Sequence, residues 1–348
     1  MIFQFRRARI GAASALALAL TAFMPAGAQA QSGESFYKGK TINLYIGFSP
    51  GGTYDYFGRM VARYLGKHIP GEPNIVPQNM PGAGSFKAAN FMYSVAPKDG
   101  TALGIVSQTA PLEEALKSDG VQFKSNEFNW IGRATSNIEV TLTWHTSKAK
   151  TMADAKLHEI PLASTGPGSP SEGYPRLLNG LIGTKFKIIG GYPGSTDGLL
   201  AMERGEVDGA LTSWNTVKTA RADWLKDKKI NLLVQYTLER SSEISDVPSV
   251  VDFGTTDEAK RILAIYASGG EIGRSFMTSP GVPADRVAVL RKAFSAMVRD
   301  KELLAEIEKI KADFIPLDGD KLQKLVADTV DVPPAIVAKM QALLQAGK

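Results

Sequence analysis

The chain has 348 residues, of which 44% are hydrophobic and 22% charged. That is the composition of a globular protein of one or two domains, and not of a disordered, collagen-like or polytopic membrane chain. With no cysteine, disulfides, thiolate metal sites, iron–sulfur clusters and cysteine nucleophiles are excluded. Three scattered histidines, His68, His145 and His158, predict no metal site, and no cofactor is expected. The net charge of +5 falls to +2 if Arg6, Arg7 and Arg9 leave with an N-terminal leader, so no nucleic-acid partner is implied.

The segment Met1 to Arg9 is short and basic, Ile10 to Phe23 is rich in alanine and leucine, and the run ending in Gly27-Ala28-Gln29-Ala30 has the small-x-small form that signal peptidases accept. This pattern predicts a signal peptide over residues 1–30, cleaved after Ala30. Its apolar run is shorter than the roughly 20 residues that span a bilayer, and no cysteine is present to accept a lipid. The mature chain, from Gln31, is expected to be a soluble monomer in the periplasm.

From Lys40 onward, short β-rich runs alternate with longer helical ones, which predicts an α/β protein of parallel sheets with crossover helices. Thr41 to Phe48 reads as a strand and Tyr54 to Lys67 as a helix, with Phe57, Met60, Val61, Tyr64 and Leu65 at helical spacing. The same unit recurs, with strands Asn74 to Gln78, Ala102 to Val106 and Ile160 to Ser164 preceding helices from Ser85, Pro111 and Ser171. Phe186 to Ile189 then leads into Thr196 to Arg204, Val207 to Leu211 into Trp214 to Lys226, and Asn231 to Tyr236 follows. After Pro280-Gly281-Val282-Pro283 the pattern is almost purely helical, over Ala284 to Arg299, Lys301 to Lys311, Asp318 to Thr329 and Pro334 to Gln345. Asp285, Asp300, Asp318 and Pro333-Pro334 supply the start signals. The stripes Val287, Leu290, Phe294, Met297, Val298 and Leu322, Leu325, Val326 are expected to pack on the first sheet.

Three turns between strand and helix are built from small residues. Ser49-Pro50-Gly51-Gly52-Thr53 leads into the first helix, with Asp55 in its first turn. Pro81-Gly82-Ala83-Gly84-Ser85 and Thr165-Gly166-Pro167-Gly168-Ser169-Pro170-Ser171 repeat the arrangement. Paired glycines permit positive φ and bare backbone N–H groups. A helix N-terminus adds unsatisfied donors and about half a positive charge, a combination suited to an anion. All three turns are expected at the carboxyl edge of a sheet, where α/β proteins place ligand clefts. None has the spacing of a dinucleotide or phosphate-binding loop, so a carboxylate is the better expectation.

Catalytic patterns are missing. No G-x-S-x-G elbow occurs, and no histidine carries the surroundings of a general base. The carboxylate pairs Glu113-Glu114 and Asp257-Glu258 read as helix-start charges. Trp214-Asn215, which follows a strand-like run and opens a helix, is the one aromatic position singled out for a site.

At this point the motifs resemble a known family. Gly47-Phe48-Ser49-Pro50-Gly51-Gly52-Thr53-Tyr54-Asp55 with Arg59 is similar to the P-F-x-P-G-G-x-x-D-x-x-A-R opening of the Bug receptors, the solute-binding proteins of tripartite tricarboxylate transporters. Gln78-Asn79-Met80-Pro81-Gly82-Ala83-Gly84 resembles their E-N-R-P-G-A-G-G, and Ala96-Pro97-Lys98-Asp99-Gly100-Thr101-Ala102-Leu103 their A-x-P-D-G-Y-T-L. Gly205-Glu206-Val207-Asp208 resembles G-Q-V-D, and Ser279-Pro280-Gly281-Val282-Pro283 resembles A-P-A-G-T-P.

The resemblance implies a type II periplasmic binding protein of Venus flytrap form, with a cleft between two α/β lobes. One lobe would comprise 31–136 with 273–348, the other 137–272. It also implies a non-enzymatic receptor that passes a small organic anion, a carboxylate, to a two-subunit membrane permease. The ligand contacts it implies fall on Ser49, Gly51, Gly52 and Thr53, with Gly84, Ser85 and Ser107 on the same lobe and Thr165, Gly168 and Ser169 opposite. Asp55, Trp214 and Asn215 complete the expected set from the reading of the turns. Met80, Ala102 and a longer stretch from Val250 to Arg274 depart from the family pattern and leave the ligand open. Two other readings stand beside this one: a sensor of the same fold that signals to a membrane kinase, and a secreted hydrolase.

Overall fold

The computed structural model describes residues 33–347; the expected leader and its cleavage after Ala30 lie outside the described residues. In chain order the strands are β1 (Thr41–Ile46), β2 (Asn74–Asn79), β3 (Ala102–Ile105), β4 (Asn129–Arg133), β5 (Glu139–Trp144), β6 (Ile160–Ala163), β7 (Phe186–Ile189), β8 (Gly209–Ser213), β9 (Ile230–Tyr236), β10 (Ser275–Thr278) and β11 (Leu317–Asp318). They form two sheets, ordered β11-β4-β10-β3-β1-β2 and β7-β6-β8-β5-β9, and each is the centre of one lobe.

Local sequence explains the first unit. Ile42, Leu44 and Ile46 alternate onto one buried face of β1, and Phe57, Met60 and Val61 of helix Thr53–Tyr64 pack into the same cluster. Gly52, with extended backbone, ends the loop and starts that helix. Helix Ala284–Met297 adds Val287, Leu290, Phe294 and Met297 to this cluster. Leu322 and Val326 of helix Gly319–Val330 pack with Trp130 and Met277 on the same sheet. The stripes that read as core in the sequence are core.

Both sheets are mixed, which corrects the expectation of parallel sheets. β10 runs antiparallel to β3 and β4, β11 antiparallel to β4, and β5 antiparallel to β8 and β9, while β1 with β2 and β3, and β6 with β7 and β8, are parallel. The antiparallel members lie beside the crossings between lobes. There the chain passes from β4 to β5 and returns into β10. The two crossings are themselves paired: Ala134 N donates to Arg274 O at 2.9 Å, Arg274 N to Thr135 O at 2.9 Å and Asn137 N to Gly270 O at 2.9 Å.

Helix Pro334–Ala346 takes a different course from the other terminal helices and packs against helix Pro170–Ile182 of the second lobe. Met340 is fully buried in that lobe's cluster with Leu177 and Leu178, and Ile336, Val337, Leu343 and Leu344 border it. Gly180 makes room for the approach, since a Cβ there would strike the Leu343 carbonyl. Gln341 Nε2 also donates to Leu116 O at 2.7 Å.

Nearby, Glu113 of helix Ala110–Ala115 is buried with Oε1 facing Gly173 of helix Pro170–Ile182. Its Oε2 accepts from Ser118 Oγ at 2.5 Å. Burial, with a smaller push from Glu172, raises its carboxyl to about 7.

Two predictions follow from this packing. Met340→Ala removes a fully buried side chain and is expected to cost about 2–5 kcal/mol of unfolding free energy in chemical denaturation; a change under about 0.5 kcal/mol would mean the helix does not dock as described. Glu113 is held with its pKa above the ordinary 4.5, so its favourable contribution is complete below that value and is lost as pH rises through about 7. Glu113→Gln is therefore expected to remove that slope, and above pH 7 to exceed wild-type stability by up to about 3 kcal/mol. Parallel stability profiles for the two proteins between pH 5 and 8 would refute this.

Candidate functional site

Where the lobes face each other, a cavity of about 40 Å3 is lined by Phe48, Ser49, Gly52, Thr53 and Tyr54 from one side and by Glu139, Thr165, Pro170, Ser171, Ser195, Leu211, Thr212 and Ser213 from the other, with Arg274 between them. That volume is on the order of three water positions. The lobes are clasped around it. Ser49 Oγ bonds Asp197 Oδ2 at 2.7 Å, Ser49 N donates to Pro193 O at 3.2 Å, Gly84 N to Thr165 O at 3.0 Å, and Thr109 Oγ1 to Gly168 O at 2.8 Å.

Three helices begin at this cavity: Thr53–Tyr64 from one lobe, Pro170–Ile182 and Ser195–Glu203 from the other. Their N-cap residues, Gly52, Ser169 and Gly194, are all extended, and no side chain caps any of them. The first turn of each helix has N–H groups without intrahelical acceptors, and each end carries about half a positive charge. The hydroxyl of Thr212, which lines the same cavity, is buried and has no hydrogen-bond partner.

One charged pair lies among these donors. Arg274 is buried. Its Nε and Nη2 donate to Thr53 Oγ1 at 3.1 and 2.9 Å, its Nη1 donates to Gln108 Oε1 at 2.8 Å, and its guanidinium lies 4.0 Å from the centre of the Tyr54 ring. Glu139 Oε1 is 3.6 Å from Arg274 Nη2 and accepts from Asn137 Nδ2 at 2.7 Å. Burial raises the Glu139 carboxyl above its ordinary range, against the pull of Arg274 and Asn137. The pair cancels within the cavity, so the positive potential there comes from helix ends and not from side chains.

Of the residues expected from sequence, Ser49, Gly52, Thr53 and Thr165 line this cavity. Gly51 takes positive φ, but its N–H is spent on Asp55 Oδ2 at 3.0 Å; Gly52 has φ −87°, so only one of the two glycines uses the left-handed region. Burial alone would raise the Asp55 carboxyl; bonds from Arg59, Asn79 and Gly51 outweigh it and hold the group below its ordinary value. Asp55 thus braces the loop from behind.

Gly84, Ser85 and Ser107 form the wall that meets the second lobe. Gly84 is at φ +59° with Gly168 and Ser169 too close for a Cβ, and Ser85 Oγ accepts from Ser107 N at 2.8 Å. Gly168 lies against the Phe86 ring, and Ser169 Oγ donates to Gly166 O at 2.8 Å. Trp214 is core, its indole N–H donating to Glu243 Oε2 at 2.7 Å; Asn215 beside it is buried with Oδ1 unpartnered.

Sequence reading passed over Arg274, Glu139, Ser195 and Thr212. Ser195 opens a helix after Gly194, the same small-residue signal as the other turns. Arg274 and Glu139 carried no motif and meet only because the two crossings are paired. Among the described residues, no cluster of His, Cys, Asp and Glu is suited to hold a metal ion.

No family model matches the chain. It is 26% identical over 346 residues to the UPF0065 protein in the gbd 5' region of Cupriavidus necator, covering 96% of each chain. Among solved structures, the periplasmic binding protein BugD superposes with TM-score 0.70 at 17% identity, over 89% of this chain and 99% of BugD. MatC from Rhodopseudomonas palustris with bound malate gives TM-score 0.68 at 20% identity, over 88% and 99%. At such identities the structural likeness speaks for the fold: two α/β lobes, as in periplasmic binding proteins. In sequence over nearly its whole length the chain is similar to a UPF0065 protein, and in the fold of both lobes it is similar to the periplasmic binding protein BugD.

Proposed function

We propose that this protein is a periplasmic solute-binding receptor that closes on a small carboxylate and presents it to a two-subunit membrane permease. The observation that carries the reading is the convergence of three uncapped helix N-termini, drawn from both lobes, on one cavity whose side-chain charges cancel. Such an arrangement supplies N–H donors and positive potential to an anion. The residues assigned to the ligand are Ser49, Gly52, Thr53, Thr165, Ser171, Ser195 and Thr212. MatC, a structural neighbour, holds malate, which fits the class. Because donors come from both lobes, ligand affinity and lobe closure are one equilibrium.

Gly52→Val tests this. The backbone at Gly52 is extended and accepts a side chain, but a Cβ there would lie 3.1 Å from Ser195 Oγ across the cleft. The variant is expected to melt near the wild-type temperature without ligand. In calorimetry against malate and other short carboxylates, its affinity is expected to fall by at least about 30-fold, or about 2 kcal/mol. A well-folded Gly52→Val protein that binds these anions as tightly as wild type would place the anion elsewhere.

A further inference from the structure

Glu139 is the only carboxylate among the residues that line the cavity, an odd neighbour for an anion. Its Oε1 is shared by Asn137 Nδ2 and the more distant Arg274 Nη2, and its Oε2 receives no hydrogen bond from the described residues. Arg274 does not supply that donor as it stands, since its nearest approach to Glu139 is Nη2 to Oε1 at 3.6 Å, beyond hydrogen-bonding distance. Its Nε and Nη2 are directed at Thr53 and its Nη1 at Gln108, and its face rests on Tyr54. The cavity therefore offers donors at the helix ends and an unsatisfied acceptor at Glu139, within one space of about 40 Å3.

A carboxylate oxygen that meets no protein donor must find one in whatever occupies the cavity, and a second anion brought beside it is repelled. A ligand relieves both conditions if its carboxylate meets the helix ends and a hydrogen-bond donor a few bonds away meets Glu139. Resting on the carboxylate reading above, we infer that Glu139 is a specificity-determining residue that selects small amino or hydroxy acids over plain carboxylates and disfavours short dicarboxylates that lack such a donor.

Calorimetry of the mature protein with four matched three-carbon probes, propionate, lactate, alanine and malonate, decides the matter. Lactate or alanine is expected to bind at least about tenfold more tightly than propionate, as a hydrogen bond to a charged group implies, with malonate the weakest. In Glu139→Gln the ratio of lactate or alanine affinity to propionate affinity is expected to shrink to under about threefold, while every anion gains as Arg274 loses its counter-charge and malonate gains most. A wild-type preference for malonate overturns the inference without any variant, and so does a Glu139→Gln protein that keeps the full advantage of lactate or alanine over propionate. If none of the four probes binds, the carboxylate reading itself fails and this inference falls with it. Propionate and malonate binding as well as lactate and alanine overturns the role of Glu139 alone.

Discussion

The cleft is organised around the buried contact between Arg274 and Glu139. Arg274 sits on the return crossing, Glu139 opens the first strand of the second lobe, and Thr53, Gln108 and Tyr54 of the first lobe surround the guanidinium. Removing either member of such a pair leaves an uncompensated buried charge, a loss of about 3–5 kcal/mol in comparable cases. The pair therefore constrains more than local packing. It ties the start of helix Thr53–Tyr64 to both crossings and fixes where that helix end points. Because its charges cancel, the field inside the cavity is set by backbone dipoles.

That choice of donor explains the small residues at the lobe interface. Backbone N–H groups reach a ligand, or an opposing loop, only if no side chain intervenes. Gly52 faces Ser195, and Gly84 faces the loop from Pro167 to Ser169, at distances a larger residue would widen. The same closeness lets the lobes bond each other directly, through Gly84 N to Thr165 O and Thr109 Oγ1 to Gly168 O. A closed receptor held by side-chain charges would need long, entropically costly arms; one held by loop backbones loses little rotamer freedom on closing.

The elements with strong local signals were legible in the sequence. Strands such as Thr41–Ile46 alternate cleanly, helices such as Ala284–Met297 carry a continuous stripe, and the glycine turns announce themselves by composition. The strands that were not legible share a cause. Glu139–Trp144 is buried along most of its length yet reads Glu-Val-Thr-Leu-Thr-Trp, with polar residues meeting partners far away in sequence: Thr141 with Tyr236 and Glu139 with Arg274. Ser275–Thr278 is four residues long and gains its definition from two antiparallel neighbours. Gly51 and Asp55 make the complementary point. The sequence offers both as ligand contacts beside a glycine turn, and only the structure distinguishes an N–H held by Asp55 from one left open at Gly52.

The terminal helix adds a constraint that neither the cleft nor its motifs suggest. After helix Gly319–Val330 packs on the first sheet, the chain crosses through Asp331, Val332 and Pro333 to seat helix Pro334–Ala346 on the second lobe. The lobes are thus joined at the paired crossings near Ala134 and Arg274 and again at this separate tether. Bodies connected at two separated places rotate most easily about the line through both, since motion about another axis must stretch one connection. The proline pair at 333 and 334 stiffens the second connection by fixing φ at each residue. Any opening of the cleft would thereby be channelled toward one axis. Under the proposed function, the helix ends of the second lobe, at Pro170 and Ser195, would then return to the same register against Gly52 and Thr53 each time the cleft shuts, as anion recognition by short, fixed backbone donors requires.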